Sequence, residues 1–441
     1  MGETIILGAG ISGLTAAWAL RRQGVEPVLL EAGDRPGGKI RTAQRDGFQF
    51  EHGPNALQGS AELAEIFDGV GLSERIVAGA PQLKKRFVVH KGELVAMPTS
   101  LGEAFKTPLF SKGALLRLAG EPFRKKGSGP QESVTRFVSR RMGPEMARLI
   151  DALALGVFAG DPDELAIGYA FPKVYRLEAE HGSLIRGAIK LRRARKTKSL
   201  HPIPPLLSFP GGLSEMVTAL AEPLDIQLGN RVSTIEKDGD DFLVRGHGPD
   251  GDFERRTRRL ISALPIHVVR DALKPLGDLQ PLEKIRHAQV AVVNLGVRRD
   301  QLDHPLDGFG FLAPHREGRL ILGAIFASTL FGGRAPDEDH VVLTVMVGGR
   351  RRPEILELED GQIVEQVLWE LQHLLGLSGE PAMCDIVRWS PGIPQAEARL
   401  ADAHAAAHRL EAEHPGLTFL GDWISGVGVP KCMQEAWNVT P

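Results

Sequence analysis

"TIILGAGISGLTAAWALRRQGVEPVLLEAGDRPGGKIRT", residues 4–42, decides the fold. A short apolar strand runs into Gly8, Gly10 and Gly13, a GxGxxG turn, and the spacing predicts a helix over Leu14–Gln23. The first glycine permits the tight turn, the second lets backbone approach a pyrophosphate, and the third lets the helix pack close to the strand. Ile11 and Ser12 open that helix, whose N–H groups and dipole favour phosphate oxygens. A second apolar strand over 27–32 closes with Glu31 and Ala32, about twenty residues on, where an acid accepts hydrogen bonds from a ribose. This is the opening βαβ unit of a dinucleotide-binding domain.

Length and composition narrow the rest. A chain of 441 residues is long for one core and predicts two or three domains. Lys plus Arg (53) nearly balance Asp plus Glu (55), so net charge gives nucleic-acid binding no support. Cys384 and Cys432 lie far apart, with no CxxC pair and no zinc spacing, which fits a reducing compartment and no metal. No cationic leader precedes the first strand, and no run of about 18 apolar residues suggests a spanning helix. The expected location is cytoplasmic, either free or peripheral on the cytoplasmic membrane.

From about 60 to 200 the pattern reads as helical. Val134, Phe137, Val138, Met142, Met146, Leu149, Ile150 and Leu153 recur at helical spacing, with a break expected at Gly143–Pro144. A proline-rich connector follows at 201–212, then strands over 226–246 and 258–265. Apolar runs at 290–297, 318–328 and 340–349 predict a β-rich region, followed by a helix near 360–375 and a last strand at 416–423.

Gly37 and Gly38 make a second glycine turn just after Glu31, flanked by Arg35, Lys39 and Arg41. A nicotinamide domain has no standard need for it. A longer flavin dinucleotide does, because it passes that turn and meets the positive charge there. GxGxxG, Glu31 and RxGGKxxT together resemble the FAD-binding amine oxidase superfamily. The resemblance implies FAD as cofactor, contacted by Gly8, Gly10, Ile11, Ser12, Gly13, Glu31, Ala32, Gly38, Lys39, Arg41, Gly53, Pro54, Asn55 and Ala56. Later in the chain it adds Val232, Trp389, Gly421, Asp422, Val427, Gly428 and Val429. It also implies an α/β and α+β fold. A discontinuous Rossmann-like FAD domain (1–80, 208–270 and 385–441) would carry a helical insertion (81–207) and a β-sheet substrate domain (271–384).

Narrower motifs occur in order: "GPNAL" (53–57), "LGVFAGDPDELAIGYAFP" (155–172), "EAEHGSLIRGAI" (178–189), "GFGFL" (308–312), "GIPQ" (392–395) and "GVGVPKCM" (426–433). They are similar to the oxygen-dependent protoporphyrinogen oxidase family and the closely similar coproporphyrinogen oxidases. The resemblance implies FAD-dependent oxidation of protoporphyrinogen IX to protoporphyrin IX, with O2 as acceptor and H2O2 as product. Oxidation of coproporphyrinogen III, another flavin amine oxidase or desaturase, and a flavin-binding protein without catalysis are the alternatives. Asn55, Gly156, Val157, Phe309, Leu312 and Met346 carry over as tetrapyrrole-facing positions. Each taken alone also reads as ordinary packing. The family's PQY is Pro394–Gln395–Ala396 here, so a ring is absent. No general base stands out, so the catalytic residue is left unassigned and His52 reads as structural. The basic runs at 186–198 and 108–126 suit either a solvated face or a peripheral membrane contact. A homodimer is also compatible with this pattern.

Overall fold

The structure is a computed structural model that describes residues 3–127, 129–196 and 203–441. Its centre is a five-stranded parallel sheet in the order Asp225–Gln227, Pro27–Leu30, Thr4–Leu7, Arg259–Ser262, Leu417–Phe419. All four residues of Thr4–Leu7 are buried. That is the pattern of a parallel strand covered on both faces. The sheet therefore needs three distant parts of the chain.

Helix Ile11–Arg21 buries Leu14, Ala16, Ala17 and Leu20 against this sheet and against helix Val429–Trp437. Gly13 is what lets the first helix sit so close. A Cβ there would lie 1.9 Å from the Gly8 carbonyl oxygen.

A second, seven-stranded sheet runs in the order Met383–Pro394, His287–Arg298, His340–Gly348, Ile321–Phe326, Gly310–Leu312, Phe87–His90, Glu93–Ala96. Neighbours are antiparallel except Gly310–Leu312 beside Phe87–His90. Ala291, Val293 and Leu295 on one face pack on Val367 and Leu371 of helix Asp360–Leu375. The expected domain limit at 385 falls inside strand Met383–Pro394, and the expected helical insertion from 81 takes in two strands of this sheet. Residues 87–96 read as part of a helical region but form a hairpin, turned by Lys91 and Gly92, both at positive φ. Strand Met383–Pro394 belongs to the sheet along most of its length. Four-residue strands carry too little periodicity to stand out from helical surroundings.

The helices between 101 and 196 form a lobe, and the expected break falls between Val134–Arg141 and Pro144–Phe158. Arg141 and Glu121 pair inside the lobe, both fully buried. Glu121 also accepts from Ser183 Oγ at 2.5 Å and from the Leu184 and Ile185 N–H groups, capping helix Leu184–Lys196.

The acidic "GDPDEL" run ties the lobe to the seven-stranded sheet. Arg351 holds Asp151 at 2.7 Å and Asp161 at 2.6 Å, and Arg286 bridges Glu164 and Glu397. The Arg350 N–H donates to the Ala159 carbonyl at 2.7 Å. A motif that helix packing does not require is thus explained by docking between two layers.

Candidate active site

The two glycine turns are one structure. The Gly37 N–H donates to the Ala9 carbonyl at 2.8 Å, and Gly10 and Gly37 form a parallel bridge. Gly38 sits at φ +56° against Gly10, a conformation that strongly favours glycine. Arg35 donates to the carbonyls of Pro36, Gly38 and Ile40. It stiffens the turn, so its charge is already committed and does not stand free beside a phosphate. Glu31 accepts from the Ala9 N–H at 2.8 Å and the Gly33 N–H at 2.7 Å, with Ala32 half-buried next to it. The Glu31 carbonyl accepts from the Asn230 N–H, which brings the strand of Val232 to the same edge.

An anionic dinucleotide fits this cradle on three observations. Helices Ile11–Arg21 and Val429–Trp437 both begin at a glycine, Gly10 and Gly428, with no side-chain cap and no acid in the first turn. Their first turns meet: the two helices pack together, with the buried Cys432 thiol, its pKa pushed up to about 12 by burial, on the facing side of the second. A Cβ at Gly10 or Gly428 would meet nothing within 4 Å, so open space lies beside both N-terminal glycines. Two uncapped helix N-termini facing one gap make an anion site.

Lys39 stands beside it, 2.8 Å from Asp422 Oδ2 and 2.6 Å from the Gly392 carbonyl. Asp422 follows Gly421 (φ +118°), and Val427 and Val429 are half-buried on the same C-terminal segment. Arg41 is exposed, and its carbonyl accepts from the His52 N–H.

Distant segments are locked together around Lys39. A Cβ at Gly53 would lie 2.0 Å from the Lys39 carbonyl oxygen, so only glycine allows the crossing. The Trp389 indole N–H donates to the His52 carbonyl at 2.7 Å. Pro54, Asn55 and Ala56 are half-buried, and Asn55 Nδ2 donates back to the Gly53 carbonyl.

Beyond this turn lies an apolar floor on the seven-stranded sheet. Val387, Val292, Met346, Gly323 and Leu312 stand side by side across five strands, and Val88 continues the row. Gly156 and Val157 of helix Pro144–Phe158 are exposed beside it. A Cβ on Gly156 would come within 3.1 Å of Leu312. Leu149, Ala152 and Leu155 of that helix cover part of the row, so a slot for a broad apolar ligand would run along the exposed Gly156–Val157 edge.

The floor has a polar end. Asp385, Asn294 and Thr344 form the next row on the same face, two residues along each strand. His52 Nε2 lies 2.8 Å from Asp385 Oδ2.

Arg86 escapes a reading by motif. It lies two residues before Val88, and its guanidinium stacks 5.0 Å over the Phe309 ring. An exposed cation thus stands over an aromatic ring at the end of the sheet. The signal was present in "KKRFVVH", but it is legible only once 87–90 is read as a strand.

Ala396 is buried and lines a cavity of about 170 Å3 with Phe158, Tyr169, His404, Trp423 and Val427, so the missing ring leaves space. Among the described residues, no group of three or more His, Cys, Asp or Glu is placed to hold a metal ion.

The family model described as flavin containing amine oxidoreductase matches residues 11–440. Protoporphyrinogen oxidase 1 of Spinacia oleracea chloroplasts is 33% identical, over 99% of this chain and 83% of that protein. Coproporphyrinogen III oxidase of Bacillus subtilis is 27% identical, over 98% of this chain and 96% of that protein. Among solved structures, a putative protoporphyrinogen oxidase from Exiguobacterium superposes with a TM-score of 0.82 at 25% identity, covering 99% of this chain and 97% of that one. UDP-galactopyranose mutase, at 16% identity, shares the fold with a TM-score of 0.73. With its glycine cradle and both chain ends meeting around it, the chain belongs to the flavin containing amine oxidoreductase family, where it groups with the protoporphyrinogen oxidases.

Proposed function

We propose that the chain oxidises a porphyrinogen with bound FAD, protoporphyrinogen IX in the first instance, and passes the electrons to O2 as H2O2. The observation that carries this reading is the juxtaposition of the dinucleotide cradle with a flat apolar floor that ends in a polar row. When bound, FAD supplies hydride acceptance and reoxidation by oxygen. The protein's share is orientation and exclusion of water. Gly10, Gly13, Gly428 and Lys39 would hold the pyrophosphate, Glu31 the ribose, and the Gly53–Ala56 turn and Val427 the ring system. Val292, Met346 and Leu312 would carry the macrocycle, with Gly156 and Val157 along its edge.

Arg86 would pair with a propionate. A hydrogen bond to a charged group is worth about 1.5–3 kcal/mol. Arg86→Ala is therefore expected to raise KM about tenfold or more with a smaller change in kcat, while FAD stays bound. An unchanged KM would remove Arg86 from the site. The activity itself is tested by conversion of porphyrinogen to fluorescent porphyrin above the spontaneous rate, with peroxide release. Protoporphyrinogen and coproporphyrinogen, which differ by two carboxylates, are compared side by side. Turnover of coproporphyrinogen alone would reassign the substrate. Absence of turnover with FAD bound would leave a flavin-binding protein.

A peripheral membrane contact is part of the same proposal. No helix among the described residues is long and apolar enough to cross a membrane. The 101–196 lobe instead exposes Leu116 (75%) and Phe123 (84%), with Phe105, Ile189 and Leu191, among basic side chains. An apolar face rimmed by lysine and arginine suits anionic lipid. The chain would then act at the cytoplasmic membrane surface. Leu116→Ser with Phe123→Ser is expected to abolish co-sedimentation with anionic vesicles without loss of bound FAD. Binding that persists in the double variant would place the contact elsewhere.

A further inference from the structure

We infer that Lys431, with Lys173 and Arg176, binds a carboxylate arm of the tetrapyrrole at the cavity that Ala396 leaves open. The inference rests on the function proposed above and adds an anchoring site to it. Lys431 lines the cavity together with Phe158, Tyr169, Pro172, Trp423 and Val427. Its ammonium stands over Gly426, another wall residue, where a Cβ would lie 3.4 Å from Nζ. Lys173 follows Pro172 of the wall, and Arg176 stands one turn further on the same helix, both exposed.

These cations have gathered without a counter-charge. Among the described residues, none of the three makes an ion pair or donates a side-chain hydrogen bond within the chain. Asp422 also borders the cavity, but Lys39 already holds it at 2.8 Å. Burial lowers the Lys431 pKa most, and Lys173 and Arg176 lower it further, so the charges stand close enough to repel.

Their positions on the helices add to that repulsion. Helices Pro172–His181 and Val429–Trp437 both begin without a side-chain cap and without an acid in the first turn. A helix N-terminus carries positive partial charge, so a lysine there opposes the dipole. Lys173 and Lys431 both occupy first turns. A carboxylate set among the three cations removes the repulsion and satisfies the start of helix Pro172–His181.

The size fits an arm and not a macrocycle. The cavity measures about 170 Å3. One of about 150 Å3 accepts a single benzene, so four linked pyrroles do not enter while a propionate chain does. Phe158, Trp423 and Val427 suit the methylenes of that chain. The place fits as well. Phe158 follows directly on the exposed Gly156–Val157 edge, and Val427 belongs to the segment that would hold the flavin ring. An arm that turns past Phe158 meets Lys431 across the cavity, while the ring stays at the edge. Arg86 then serves one acidic arm and this cluster another.

The test uses the FAD-loaded full-length protein and follows porphyrin binding by quenching of tryptophan fluorescence. The probes are protoporphyrin IX and coproporphyrin III, each as the free acid and as the methyl ester. An ester keeps the ring and loses the charge. The wild type is expected to prefer the acids. Lys431→Met is expected to retain FAD and to cut that preference about tenfold or more, the worth of a charged hydrogen bond. Lys431→Arg is expected to keep it. Lys173→Gln with Arg176→Gln, both at the surface, is expected to lower it in the same direction.

An acid preference unchanged in Lys431→Met and in the double variant would overturn the assignment. Loss of FAD from Lys431→Met would overturn it too, by placing the lysine in the cofactor site. Stabilisation by inorganic phosphate that needs Lys431, with the acid preference unchanged, would give the cluster to a free anion instead. A wild-type protein that holds FAD and binds neither acid nor ester would overturn the function on which the inference rests.

Discussion

Gly13→Ala yields a protein without flavin, if it folds at all. The added methyl would lie 1.9 Å from the Gly8 carbonyl oxygen and 3.4 Å from Ile6. Neither neighbour has room to give. Gly8 is in the turn itself (φ +91°), and Ile6 is a fully buried strand residue. Helix Ile11–Arg21 must therefore move away from the sheet. That removes its N-terminus from the gap it shares with helix Val429–Trp437. Overpacking of this kind costs about 1–3 kcal/mol and occasionally more, and this contact is with backbone. The expected result is loss of bound FAD on gel filtration and a lowered unfolding midpoint. Gly24→Ala is the comparison, since a Cβ there meets nothing within 4 Å. Its strain is that of a positive φ alone, so FAD should remain bound. A yellow Gly13→Ala protein of wild-type stability would contradict the close packing of the turn.

Glu121→Ala gives the second large effect, in the helical lobe. It leaves Arg141 fully buried with one of its charged partners gone; Glu178 remains 3.3 Å away. It also removes the acceptor for Ser183 Oγ and for two N–H groups of helix Leu184–Lys196. Removing one member of a buried pair costs about 3–5 kcal/mol. The five-stranded sheet makes no use of Glu121, so the damage should be local. Limited proteolysis is expected to cut the variant between residues 101 and 196 while FAD stays bound. Resistance equal to wild type would show that Arg141 finds other partners.

Much of the cradle was legible in the sequence because its chemistry is local. Gly8, Gly10 and Gly13, then Gly37 and Gly38, are spaced by what backbone must do there. Glu31 marks the end of the second strand. The long buried strands and the break at Gly143–Pro144 were legible for the same reason, since periodicity and proline act within a few residues.

What depends on tertiary pairing was not legible. The hairpin at 87–96 is short and set among helices, and Arg86 was hidden with it. Arg35 read as free positive charge until its three carbonyl partners were in view. The acidic run at 161–164 stood out only as part of a family motif, because its partners, Arg286 and Arg351, lie in the other layer. His52 and Asp385 are 333 residues apart, and no spacing rule links them.

The central claim is that a flavin in the glycine cradle faces the apolar slot. Anaerobic mixing of the purified protein with protoporphyrinogen tests it most directly, with visible absorbance and porphyrin fluorescence followed together. The predicted result is loss of the flavin band with growth of porphyrin fluorescence, and return of the band with peroxide on admitting air. A colourless protein that refuses FAD and binds a nicotinamide nucleotide, or a flavin band that porphyrinogen leaves untouched, would contradict it.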